Sequence, residues 1–142
     1  MNELVERAKA ALLTGGYTCV VCGKQMIETS AERGVKPLVR WVEQRRDFSG
    51  CAAADKVVGK ATAFLYVLLR VETVYAAVIS HAALQTLTAH GVTVTYGQAV
   101  EYIVNRQGDG VCPFERAVWS LTSPAEAYQT IRRQMERMGI TL

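Results

Sequence analysis

The sequence predicts an α/β protein, and three observations carry that prediction. Residues 71–79 (VETVYAAVI) are apolar on both faces past their start, as an interior strand covered by helices on each side requires. Residues 81–90 have helical apolar spacing, stop at Gly91, and are followed by the alternating run 92–96. Strand, helix and strand in that order make a parallel pair joined by a right-handed crossover. Third, residues 17–22 are β-rich and residues 25–29 return antiparallel around a tight turn at Gly23-Lys24.

The remaining elements follow from spacing and caps. Leu4, Val5, Ala8, Ala11 and Leu12 share one helical face over residues 3–14, and Gly15-Gly16 supplies the positive-φ positions that stop that helix. Pro37 suits a first helical turn, and Leu38, Val39, Trp41 and Val42 continue an apolar stripe up to Arg46. Residues 51–69 read as one long helix, N-capped by Ser49 and apolar nearly all round at Val57, Val58, Ala61, Phe64, Leu65, Leu68 and Leu69. Val100, Ile103 and Val104 give residues 98–104 a helical spacing, and a glycine-containing loop then leads to a short helix at Pro113. Ser123-Pro124-Ala125-Glu126 is a capping box with proline at the first helical position, and Gly139 closes the last helix.

The chain has 142 residues, one ordinary domain's worth, and no internal repeat or linker divides it. Half of the residues are apolar and a fifth are charged, which is globular composition and not that of a disordered chain. The net charge of +3 comes from interspersed residues and forms no basic stripe, so nucleic acid is not the expected partner. The amphipathic start lacks the pattern of a signal peptide, and the longest apolar run is too short to span a bilayer. A cytoplasmic protein with four reduced thiols, and no membrane contact, is therefore the expectation.

Four places carry candidate chemistry. Cys19 and Cys22 form a CxxC, but in a strand their side chains point to opposite faces and cannot share a metal. On the expected long helix, Cys51 and Asp55 lie one turn apart, with Lys56 and Lys60 one turn apart on a neighbouring face. A helix N-terminus with lysines beside it attracts anions and would lower the pKa of Cys51. In the segment NRQGDGVCPFE, Asn105 and Arg106 can meet an anion, Gly108 and Gly110 permit close backbone approach, and Cys112 is a candidate nucleophile with no assignable base. His81 opens the helix after the buried strand, where open α/β sheets often line a cleft.

The segments ERGVKPL (32–38), ADKVVGKA (54–61), YVLL (66–69), VYAAVIS (74–80) and NRQGDGVCPFE (105–115) together resemble domain-of-unknown-function family 1893. That resemblance implies a cytidine-deaminase-like three-layer α/β/α sandwich. Its mixed sheet has four to five strands and includes an N-terminal antiparallel hairpin. Deaminases carry His/Cys-x-Glu at the start of the helix after strand two and Pro-Cys-x-x-Cys at the start of the helix after strand three. With the long helix starting at residue 51, the first motif falls on Cys51-Ala52-Ala53, which lacks the glutamate, and the second falls near Ser80–Leu84, where only His81 is a possible ligand. No cofactor is expected on this alignment; a zinc site of Cys51, His81 and Cys112 is the lesser alternative.

The resulting expectation is a deaminase-like fold without the zinc motif, binding a small anionic or nucleotide-like ligand. The site would be built from Cys51, Asp55, Lys56, Lys60, Asn105, Arg106, Gly108, Gly110 and Cys112. Two alternatives stay open at this point. One is a cysteine-dependent enzyme using Cys51 or Cys112; the other is a non-catalytic interaction or regulatory protein, with a homo-oligomer among its forms.

Overall fold

Apolar residues that alternate, pair across strands or stack along helices order the chain into eleven elements in the computed structural model, which describes residues 3–142. The N-terminal part comprises α1 (Glu3–Gly15), β1 (Cys19–Gly23), β2 (Met26–Ser30) and α2 (Lys36–Glu43). Strand and helix then alternate through β3 (Ala52–Val58), α3 (Lys60–Leu69), β4 (Thr73–Ser80), α4 (His81–Ala89) and β5 (Thr93–Val100). Helices α5 (Pro113–Ala117) and α6 (Pro124–Arg137) complete the chain. The strands form one sheet in the order β2-β1-β3-β4-β5, with β1 antiparallel to both neighbours and β3, β4 and β5 parallel.

Three layers result. Helix α1 covers one face, where Ala8 and Leu12 pack with Val20, Cys22 and Ala54. The main core lies on the other face, where Val21, Ala53, Val74 and Ala76 meet Phe64 and Leu65 of α3, Leu87 of α4 and Ile131 of α6. Phe64, Leu65, Tyr66 and Leu69 are all at most 1% exposed, and burying each apolar side chain of this size contributes about 1.5–3 kcal/mol. Cys19 and Cys22 fall in different cores, on opposite faces of the sheet as the strand pattern requires. All four cysteines are free, and no helix is long and apolar enough to cross a membrane among the described residues.

The principal correction concerns residues 51–69, which are not one helix. Ala52–Val58 is the central strand β3, paired with β1 on one side and β4 on the other, and α3 begins only at Lys60. Alanine, aspartate and lysine are poor strand formers, so local propensity favours a helix. Hydrogen bonding to two distant neighbours overrides it. Gly59, extended at ψ 180°, occupies the N-cap of α3, and Ser49 instead joins a turn with Asp47.

A second correction concerns residues 98–104. Strand β5 continues to Val100, pairing with Ser80, and the remaining residues form a loop. The helical spacing of Val100, Ile103 and Val104 joins residues of a strand and a loop, Val104 bridging to Val111.

These changes also move the deaminase positions. The helix after strand two is α2 and the helix after strand three is α3, so the motif places fall near Val35–Leu38 and Gly59–Ala63, not at Cys51 and His81. No cysteine or histidine stands at either place, and among the described residues no three His, Cys, Asp or Glu side chains gather to hold a metal.

Candidate functional site

At the carboxyl end of β3 the sheet opens into a cleft of about 740 Å³, the end of the strands where ligands bind in open α/β sheets. Antiparallel pairing brings Cys19, at the start of β1, opposite Asp55 near the end of β3. The start of α2 and α3 and the loop of residues 101–112 complete the walls. The strand is irregular here. Lys56 and Val57 are both exposed between the buried Asp55 and Val58, and the Asp55 carboxyl accepts the Val57 N–H at 3.2 Å. This local bond two residues along is a habit of aspartate, and it leaves Lys56 and Val57 both lining the cleft.

The cleft has three kinds of wall. Arg33, Lys36, Lys56 and Arg106 bring cations to it, and only Lys36 has an ion-pair partner among the described residues, Glu32 at 3.8 Å. Val57, Val104 and Met138 supply apolar surface that is 44–52% exposed. Between these lies Asp55, 8% exposed, whose Oδ2 accepts the Tyr66 hydroxyl at 2.6 Å.

Burial pushes the Asp55 carboxyl up from 3.8 to about 7, against the hydrogen bonds from Tyr66, Val57 and Lys56 that pull it down. No lysine or arginine lies within ion-pair distance of it among the described residues. Burial likewise raises the Tyr66 phenol and the Cys19 thiol, with Asp55 adding to both. Among these three groups Asp55 is therefore the one that changes charge near neutral pH.

A second buried acid fixes the cleft's outer wall. Glu115 of α5, 1% exposed, accepts the Lys60 N–H at 2.9 Å, the Ile103 N–H at 2.6 Å and the Ser80 hydroxyl. Its carboxyl thus occupies the N-terminus of α3, where backbone N–H groups lack helical partners. It ties the loop to that helix. Gly59 gives it room: a Cβ there would lie 3.1 Å from Ile103 Cγ1 and 3.4 Å from Glu115 Oε2.

The sequence-predicted residues divide. Asp55, Lys56, Asn105, Arg106 and Cys112 do line the cleft together. Cys51 does not; it precedes β3, and burial raises its thiol pKa where a helix N-terminus was expected to lower it. Lys60 starts α3, but its ammonium donates to the Trp119 carbonyl at 2.6 Å. Gly108 and Gly110 shape the loop without lining the cleft: Gly108 has φ +78°, and Asn105 Oδ1 accepts its N–H at 2.8 Å. His81 opens α4, exposed and outside the cleft, so Cys51, His81 and Cys112 do not form one site.

Sequence reasoning missed Arg33, Lys36, Cys19, Tyr66 and Glu115. Two signals pointed to some of them: basic residues crowd the start of the Pro37 helix, and Tyr66 is the one phenol in an apolar helix. Nothing local marks Glu115, whose partners lie 12 to 55 residues away.

Residues 7–135 match the family model described as Domain of unknown function (DUF1893). The crystal structure of a DUF1893 family protein from Thermotoga maritima superposes with a TM-score of 0.85 at 24% identity, over 94% of this chain and 92% of that one. A diaminohydroxyphosphoribosylaminopyrimidine deaminase/5-amino-6-(5-phosphoribosylamino)uracil reductase from Thermotoga maritima aligns with a TM-score of 0.43 at 12% identity, over 81% of this chain and 40% of that one. No curated protein matches the sequence.

Proposed function

The chain belongs to the DUF1893 family, and because that description names no reaction, we propose a function from the cleft itself: it binds a small anionic, nucleotide-like ligand. The observation that supports this most is the gathering of Arg33, Lys36, Lys56 and Arg106 around one concavity, three of them without an ion-pair partner among the described residues. Unpaired cations beside apolar wall suit a ligand with a phosphate at one end and a flat ring at the other. The volume of about 740 Å³ lies within the range of small-molecule sites.

Thermal melts with inorganic phosphate and with nucleoside monophosphates test this. Stabilisation that disappears in Lys56→Ala and Arg106→Ala supports it; melts unchanged by every one of these compounds end it.

A cysteine-dependent reaction keeps one supporting observation, the half-buried Cys112 in the cleft wall. Alkylation of Cys112 by iodoacetamide no faster than that of a free thiol at neutral pH removes this second reading.

A further inference from the structure

The cleft combines two features that a site for simple anions does not need. Its rim is cationic, yet its floor holds a carboxyl, Asp55, buried with hydrogen bonds from the Tyr66 hydroxyl and the Val57 and Lys56 N–H groups and no ion-pair partner among the described residues. An anion alone would gain from the rim and lose against an ionised Asp55.

Resting on the reading above, we propose that the cleft selects anionic ligands that also carry an N–H donor, a phosphate ester with an amino-bearing heterocycle, and that Asp55 is the acceptor that reads this donor. The Val57 N–H, the Lys56 N–H and the Tyr66 hydroxyl each use one direction on the carboxyl. A carboxylate has about four lone-pair sites, so acceptor capacity is left over. Ionised Asp55 offers only acceptors and favours an amino group; protonated, it offers a donor and favours a carbonyl at the same place. An ordinary surface carboxylate would be ionised throughout and show no such change of preference.

The charged and titratable groups around Asp55 leave it as the reader. From β1 faces Cys19 and from α3 Tyr66, both held protonated by burial. From β4 the register partner is Ala76, which does not titrate. Arg33 and Lys36 stand before and at the start of α2, Lys56 follows Asp55 on β3, and Arg106 and Cys112 come from the loop. Glu115 of α5 lines the same cleft but directs its carboxyl at Lys60, Ile103 and Ser80.

Adenosine monophosphate and purine riboside monophosphate are a matched pair of probes, differing only in the 6-amino group, which the second lacks, while sharing one ring and one phosphate. Their affinity ratio therefore cancels the titration of the phosphate. Calorimetric titration of the wild-type protein at pH 6 and pH 8 is expected to shift that ratio about tenfold toward the amino compound, following the ionised fraction of a carboxyl that titrates near 7. Binding of the amino compound at pH 7 should release about half a proton from Asp55, read from its heat in buffers of different ionisation enthalpy. In Asp55→Asn the ratio should become independent of pH. A wild-type ratio that does not change with pH, or binding of the amino compound with proton uptake, overturns the proposal without needing any variant to fold. If inorganic phosphate and both nucleotides bind equally and Lys56→Ala abolishes all three, the anion site stands and Asp55 is not its reader. If none of them binds, both readings fall.

Discussion

Asp55 and Glu115 are both buried acids lining the same cleft, and they differ in where their hydrogen bonds come from. Glu115 takes three donors from three parts of the fold: the first turn of α3, the end of β4 and the loop at Ile103. Asp55 takes its bonds from its own strand and from one phenol of α3, and burial carries its carboxyl to about 7. The difference separates two uses of a buried carboxyl. One satisfied by donors across the molecule joins elements, while one left with spare acceptor capacity at an opening is placed to meet a ligand.

The sharpest way to break this comparison is to remove the joining acid. Glu115→Ala strands the Lys60 and Ile103 N–H groups and the Ser80 hydroxyl, and is expected to cost about 3–5 kcal/mol in urea denaturation. An unchanged midpoint would deny Glu115 that role.

Asp55→Asn should act in the opposite direction above neutral pH. Its folded-state pKa of about 7 lies above the unfolded value of 3.8, so the folded chain keeps a proton that the unfolded chain gives up. Asp55 therefore lowers stability as pH rises from about 4 to about 7, with the full loss in place above that. The asparagine variant should be more stable than wild type at pH 8 by about 1–3 kcal/mol and show a flatter profile over pH 4–7. Denaturation at several pH values measures this; parallel profiles would mean that Asp55 does not titrate in that window.

Smaller still is Gly59→Ala. The backbone there, at φ −94°, suits any residue, and only crowding against Ile103 and Glu115 opposes a methyl group. A loss of about 1–2 kcal/mol is expected, and a stabilised variant would show that the joint at Glu115 has slack.

The sequence made much of the fold legible because several elements carry their own punctuation. Gly16 ends α1 at φ +71°, Ser123 accepts the Glu126 N–H at the start of α6, and Ser80 accepts the Ala83 N–H at the start of α4. The candidate site was legible only in part: Asp55 and Lys56 were named through a helix that is not there and line the cleft only because β3 ends at it, whereas Arg106 was named from its glycine-containing loop, which does form a cleft wall. Cys51 was misplaced because it was read through a helix that is not there. Lys60 was assigned a ligand role while its charge is engaged by Trp119.

Composition and periodicity by themselves determined an α/β chain with an antiparallel hairpin, a parallel strand-helix-strand unit and a capped final helix, because each rests on neighbours within a few residues. Only the tertiary structure decided that Ala52–Val58 is a strand, because a run apolar on both faces takes its conformation from the partners that hydrogen-bond it. The tertiary structure also set Cys19 beside Asp55 and Glu115 against α3. These contacts close chain loops of tens of residues, and no local spacing encodes them.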